Sequence, residues 1–182
     1  MKKIIVGAFV GAIILFVWQF LSWTVLKIHD DSYKYTDKQD SVISYLKANL
    51  KEGQYMIPRA APGASHDDME NMGKALNGKP WAIVTYHNEY KFDMVMPMVR
   101  GFLIGLLSVL LVCFIIQKFA RKNMASIFWS VLSVGLVCFI FVWYNQHNWF
   151  QTSWVVIKGE LIDNLAGWGL CGLWLGWWYN KK

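Results

Sequence analysis

What this chain lacks narrows its class before any motif is considered. No Asp, Glu, Lys or Arg occurs between Ile4 and Leu26, or between Gly101 and Gln117. Only 16% of all residues are charged, against about a quarter in soluble domains. Cysteine is scarce: Cys113, Cys138 and Cys171 all fall in apolar stretches, so no disulfide framework and no CxxC metal pattern is available. There is no GxSxG, no P-loop and no HExxH. Nucleophilic catalysis and zinc hydrolysis therefore have no motif behind them, and no cofactor is implied.

What is present is apolar mass in blocks: 55% of residues are hydrophobic and 16% aromatic. Blocks of this length point to a bilayer. The net charge of +6 has a location. Residues 27–100 carry ten basic and ten acidic groups. The rest carries eight basic groups (Lys2, Lys3, Lys118, Arg121, Lys122, Lys158, Lys181, Lys182) and two acids, Glu160 and Asp163. Basic charge at the ends of apolar spans reads as membrane orientation and excludes nucleic acid as the partner.

The blocks predict an integral membrane protein, mainly α. Its core is a four-helix transmembrane bundle with a small extracytoplasmic α+β insert between spans one and two. Span one covers 4–28. It is longer than a signal-peptide core and shows no A-x-A site, so it reads as an uncleaved anchor. Residues 29–95 form the insert. Thr36–Gln39 has the form of a capping box, and Val42, Ile43, Leu46 and Leu50 follow at helical spacing. Gln54–Ile57 and Trp81–His87 read as a pair of strands, with a second helix over Asp67–Leu76 between them. Spans two and three cover 96–117 and 125–144. Residues 150–163 read as an amphipathic interfacial segment, and 164–179 as span four. With four spans, Lys2-Lys3, Lys118/Arg121/Lys122 and Lys181-Lys182 share one side, as the positive-inside rule expects. Both termini are then cytoplasmic and the insert is outside, which is the periplasm in a Gram-negative cell.

Each span carries small residues three or four apart: Gly7 and Gly11; Gly101, Gly105 and Ser108; Ser126, Ser130 and Ser133; Gly169, Gly172 and Gly176. Such seams let helix backbones approach for dispersion contacts. They predict packing inside the chain or against other membrane subunits, with lipid around the remainder.

Polar groups near the outer ends of the spans are the candidate site: Gln19, Ser22, Arg100, Glu160, Asp163 and Asn164. Intramembrane charges pair or line a cavity, so Arg100 is expected to pair with Asp163 or Glu160 and to frame a site for a polar ligand or lipid headgroup. His29, His66 and His87 stand near acids and are weak metal candidates, without zinc-site spacing. Ser65-His66 is an adjacency without a triad pattern.

Short patches spread over the chain carry a resemblance: Phe16-Val17-Trp18 with Ser22 and Leu26, Gly53–Pro58, Gly78-Lys79-Pro80 leading into Ile83–Tyr86, and Trp149-Phe150. Together they resemble a family of small bacterial inner-membrane proteins with one span, an extracytoplasmic insert and three further spans. The resemblance implies a bacterial source and that topology, and carries no activity with it. The functional expectation is a non-catalytic accessory, structural or assembly subunit of a larger inner-membrane complex. Lipid or small-ligand binding or transport at the outer mouth is the alternative, and an outer-leaflet enzyme the second.

Overall fold

The structure, a computed structural model, describes residues 1–120 and 122–181. Arg121 and Lys182, both counted above among the inner-side basic groups, lie outside the described residues. The chain divides into two units, Met1–Lys34 with Asp93–Lys182, and Tyr35–Phe92.

The first unit is helical. Helix α1 (Lys2–Phe20) runs on into a π-helical turn, Leu21–Val25, and a short 3-10 turn follows at Asp30–Ser32. Helix α4 (Val95–Gln117) precedes α5 (Met124–Cys138), which continues through a second π-helical stretch, Phe139–Tyr144, into α6 (Asn145–Phe150). Helix α7 covers Trp154–Asn180. Three segments are long and apolar enough to cross a membrane: Lys2–Val25, Val95–Gln117 and Met124–Phe150. Large apolar side chains such as Ile5, Phe9, Leu107, Val137 and Phe141 are exposed along them, as lipid-facing positions would be. Helix α7 is as long, but its first turns carry Lys158, Glu160 and Asp163.

Close helix contacts run in the order α4–α1–α7–α5. The solid core sits toward the chain ends of these helices. There Ala8, Val109, Val112, Cys113, Ile116, Ile127, Val131, Cys171, Leu175 and Tyr179 are buried together. Glycine makes the α1–α7 approach: a Cβ on Gly11 would lie 2.7 Å from Val109 and 3.1 Å from the Cys171 sulfur, and one on Gly7 would lie 3.2 Å from Trp178. Two indoles fasten α7 to the backbone of α1: Trp174 Nε1 donates to Gly7 O at 3.2 Å, and Trp178 Nε1 to Lys3 O at 2.8 Å. Lys3 Nζ donates to Lys181 O at 2.8 Å, so the two ends of the described chain lie side by side.

Several expected boundaries move. The polar link anticipated at Asn145–Asn148 is helical, because Asn145 donates back to Phe141 O at 3.1 Å and the helix runs to Phe150. The reversal comes at Gln151–Ser153. Gln151 takes a left-handed conformation (φ 51°), and the His147 ring bonds Thr152 O at 2.7 Å. No boundary falls at 163/164: the expected interfacial segment and the last span are one helix, started by Ser153, whose hydroxyl accepts from Val155 N at 3.4 Å. Residues 29–34 belong to the helical unit rather than to the insert.

In the second unit, α2 (Gln39–Asn49) and α3 (His66–Leu76) accompany strands β1 (Gly53–Ile57) and β2 (Ala82–Tyr86). The strands pair antiparallel, with Gly53 opposite Tyr86 and Ile57 opposite Ala82. Tyr86 is the one buried residue among the described residues of this unit, while Val42, Ile43, Met69, Trp81 and Ile83 remain exposed. The capping box is not at Thr36, whose hydroxyl instead accepts from Lys38 N at 3.2 Å in a local turn outside α2. It is at Ser65, which caps α3: Asp68 N donates to Ser65 Oγ at 3.1 Å, and Ser65 N donates to the Asp68 carboxylate at 3.2 Å.

The Ser65 hydroxyl also donates to Asp68 at 2.7 Å. These bonds, side chain first and backbone second, hold the Asp68 carboxyl below the usual carboxylate range. A depressed folded-state value stabilises the cap above the ordinary pKa, and that stabilisation is lost as pH falls through the lowered one. In an NMR titration Asp68 is expected to protonate at lower pH in the native protein than in Ser65→Ala. Equal midpoints would contradict the cap.

Candidate functional site

The polar end of the helical unit is organised by one carboxylate. Gly159, Asp163 and Gly167 lie four apart on α7 and so share the face turned to α1. Asp163 meets three partners there. The Ser22 hydroxyl donates to Oδ1 at 2.5 Å, Trp18 Nε1 donates to the same oxygen at 3.1 Å, and His29 Nε2 bonds Oδ2 at 3.0 Å. The Ser22 contact has the length of a charge-assisted O–H···O bond. Ser22 is fully buried and His29 is 3% exposed, so neither relies on water.

Local backbone geometry brings these donors in. In the π-helical turn Leu26 N donates to Leu21 O, five residues back, and Ile28 N reaches Ser22 O at 3.0 Å. The extra residue per turn changes the face on which later side chains emerge, and such turns occur often at functional positions. Lys27 then takes φ 54°, a left-handed conformation that costs a non-glycine residue about 1 kcal/mol. The chain folds back and His29 lands on α7. Its ring stacks on Trp23 (centroids 4.1 Å apart, planes within 4°) and lies over Gly159, where an added Cβ would fall 2.9 Å from Nδ1 and Cε1.

Beside this node lies a cavity of about 480 Å³ bounded by α1, α4, the π-helical end of α5 and α7. Gln19, Ser108, Glu160, Asp163 and Asn164 supply its polar lining; Phe16, Trp18, Trp23, Trp143 and Trp168 its aromatic lining. Asn164 Nδ2 donates to Glu160 O at 2.8 Å. Among the described residues no side chain is bonded to the Glu160 carboxylate. Gly101 and Gly105 form part of the wall, and their surroundings differ from those of the packed glycines. A Cβ on Gly101 would meet nothing within 4 Å, and one on Gly105 would meet only Ala12 O, at 4.0 Å.

Of the six expected polar residues, Gln19, Glu160, Asp163 and Asn164 thus line one cavity, and Ser22 adjoins it through Asp163. Arg100 does not join them. It is exposed near the start of α4 and, among the described residues, makes no ion pair. Asp163 is already satisfied by neutral donors and His29. His66 opens α3 in the other unit, and His87 forms an exposed pair with Glu52 at 3.7 Å. Among the described residues, no group of three or more His, Cys, Asp or Glu is placed to hold a metal.

The seams divide in the same way. Gly7, Gly11, Gly172 and Gly176 meet neighbours at 2.7–3.2 Å, whereas Gly101 and Gly169 face open space. Ser126 and Ser133 are exposed; α5 packs through Ile127, Val131 and Gly135, which are buried four residues apart. Ser133 and Ser108 return their hydroxyls to the carbonyls of Trp129 and Ile104, which removes the need for an interhelical partner.

Ser22, His29 and Asp163 are the residue types of a hydrolytic triad, but their order in space differs. An activated serine bonds the histidine, which the acid orients. Here the acid stands between them, and His29 Nδ1 is buried without a partner. The arrangement holds a carboxylate in place and does not activate the serine. Gly167-Trp-Gly-Leu-Cys-Gly172 has the GxGxxG spacing, yet it lies inside α7 without the preceding strand and turn that place such glycines on a phosphate.

No family model, curated protein or solved structure matches this chain. The site therefore rests on its own geometry.

Gly159→Ala is expected to push the His29 ring off α7 and cost about 1–3 kcal/mol of stability. Gly169→Ala, with open space around it, should stay within about 0.5 kcal/mol of the native protein. Thermal unfolding in detergent, followed by tryptophan emission, compares the two. Equal melting temperatures would contradict the His29 placement.

Proposed function

We propose that this chain is an integral protein of a bacterial inner membrane, crossing it four times, and that it binds a small polar ligand or lipid headgroup in the cavity beside Asp163. The observation that carries this reading is the cavity itself. It is large enough for a small ligand, it has convergent polar groups set among aromatic rings, and part of its wall is glycine that packs against nothing.

Two observations support four crossings. Three segments have the length and apolarity to span, and Lys3 and Lys181 are bonded side by side. Chain ends on one face require an even number of crossings, so α7 is the fourth. Its polar residues fit that role: Asp163 is bonded to α1, and Glu160 and Asn164 line the cavity. The basic groups at both ends and after α4 orient this face inward, which leaves residues 35–92 in the periplasm. Protease added to intact spheroplasts should cut near Arg59 and spare both ends; protection of that loop would overturn the topology.

Native mass spectrometry of gently extracted protein tests the binding reading. A bound small molecule or lipid is expected on the native chain and absent from Gly101→Leu, which adds bulk to the cavity wall at a position whose Cβ would meet no atom within 4 Å. Identical adducts on both proteins would contradict the reading.

A second reading, an accessory or assembly subunit of a larger membrane complex, is favoured by the periplasmic unit. Its two helices bury no residue, and it leaves Val42, Ile43, Trp81 and Ile83 exposed. So small a core is stabilised by a partner. Migration of the extracted chain alone, or only with itself, on a native gel would remove this reading.

A further inference from the structure

We infer that the cavity beside Asp163 selects an organic ammonium group, either on a free amine or on a lipid headgroup. The inference rests on the binding reading above and goes on to the chemistry of the occupant.

Charge comes first. The lining contains two carboxylates, Glu160 and Asp163, and no Lys or Arg. Asp163 is compensated by Ser22, Trp18 and His29, whereas Glu160 has no side-chain partner among the described residues. Glu160 is half-buried at the cavity wall, and a carboxylate shielded from water by apolar helices is costly unless a positive or donating group meets it. An anionic ligand would add like charge to that cost, and a cation is the occupant that offsets it most.

Shape and surface narrow the cation to an organic one. Four indoles (Trp18, Trp23, Trp143 and Trp168) line the same volume. Aromatic rings attract cations through their quadrupoles, and ring-lined sites of this kind suit alkylated ammonium groups, which shed water readily. A bare metal ion would need several oxygen or nitrogen ligands converging on one point, whereas this cavity of about 480 Å³ spreads its two carboxylates among aromatic, aliphatic and glycine walls.

Space is the independent observation. Gly7, Gly11, Gly172 and Gly176 on α1 and α7 are pressed by neighbours, but Gly101 on α4 has no atom within 4 Å of where its Cβ would stand, and Gly105 faces only Ala12 O, at 4.0 Å. Gly101 thus keeps volume open in the wall that Glu160 and Asp163 also line.

The test uses the full chain in nanodiscs of phosphatidylglycerol and reads tryptophan emission. Choline and ethanolamine are the free-amine probes. Dimethylbutanol, the uncharged carbon isostere of choline, is the control, and nanodiscs doped with phosphatidylethanolamine supply the headgroup form. Saturable changes with choline or ethanolamine, or with the doped lipid alone, are expected, the first identifying a soluble amine and the second a headgroup. Glu160→Gln should weaken the response roughly tenfold, and Gly101→Leu should abolish it while keeping the native melting temperature. A response to dimethylbutanol equal to that of choline, or one unchanged in Glu160→Gln, overturns the ammonium inference. So does silence with every probe. In each of these cases a co-purifying ligand that is lost in Gly101→Leu would leave the binding reading standing; if that adduct is absent too, both fall.

Discussion

A carboxylate set among apolar helices must be met by donors, and Asp163 is met by three, all from α1 and the turn that follows it. Much of the local structure answers to that requirement. The π-helical turn buries Ser22, the left-handed Lys27 reverses the chain, and Gly159 leaves room for the His29 ring. Without a donor set, a buried charge would cost several kcal/mol. With it, the charge becomes a specific tie between the first and last helices.

The opposite end of the α1–α7 pair is held by different means. Gly7 and Gly11 bring the backbones close, and the indoles of Trp174 and Trp178 donate to α1 carbonyls. Close backbone approach and hydrogen bonds of this kind are what pair helices in lipid. The core is filled around this end, while at the other Gly101 has open space around it and Gly105 touches only Ala12 O. One unit thus combines a closed half with a cavity held beside the Asp163 carboxylate, as the proposed cation site requires.

Much of this was legible in the residues. Uncharged blocks marked the three apolar helices, and β-branched and aromatic content marked the strand at Ala82–Tyr86; of the polar residues grouped with Arg100, Gln19, Glu160, Asp163 and Asn164 line one cavity. The partner of Asp163 was not legible. Arg100 was the cation that charge alone would choose, but a π-helical turn has no sequence signature, and it was this turn that brought His29 to α7. The same limit hid the continuity of α7. Lys158, Glu160 and Asp163 look interfacial by composition, and only the donors on α1 allow Asp163 to sit within a helix pair. The serine seam of α5 failed because a hydroxyl can bond its own helix, so spacing alone did not name the packing face. Thr36 failed as a cap because α2 begins only at Gln39, with Lys38 at its N-cap, whereas Ser65 directly precedes α3 and exchanges bonds with Asp68.

The central claim is that Asp163 and His29 are bonded within the helical unit. Dipolar-recoupling solid-state NMR on protein in lipid bilayers, with nitrogen-labelled histidine and carbon-labelled aspartate, reads that contact without altering it. The account predicts a strong coupling between one histidine ring nitrogen and one aspartate carboxyl carbon, absent from His29→Gln. No such coupling, or one that survives in His29→Gln, would contradict it.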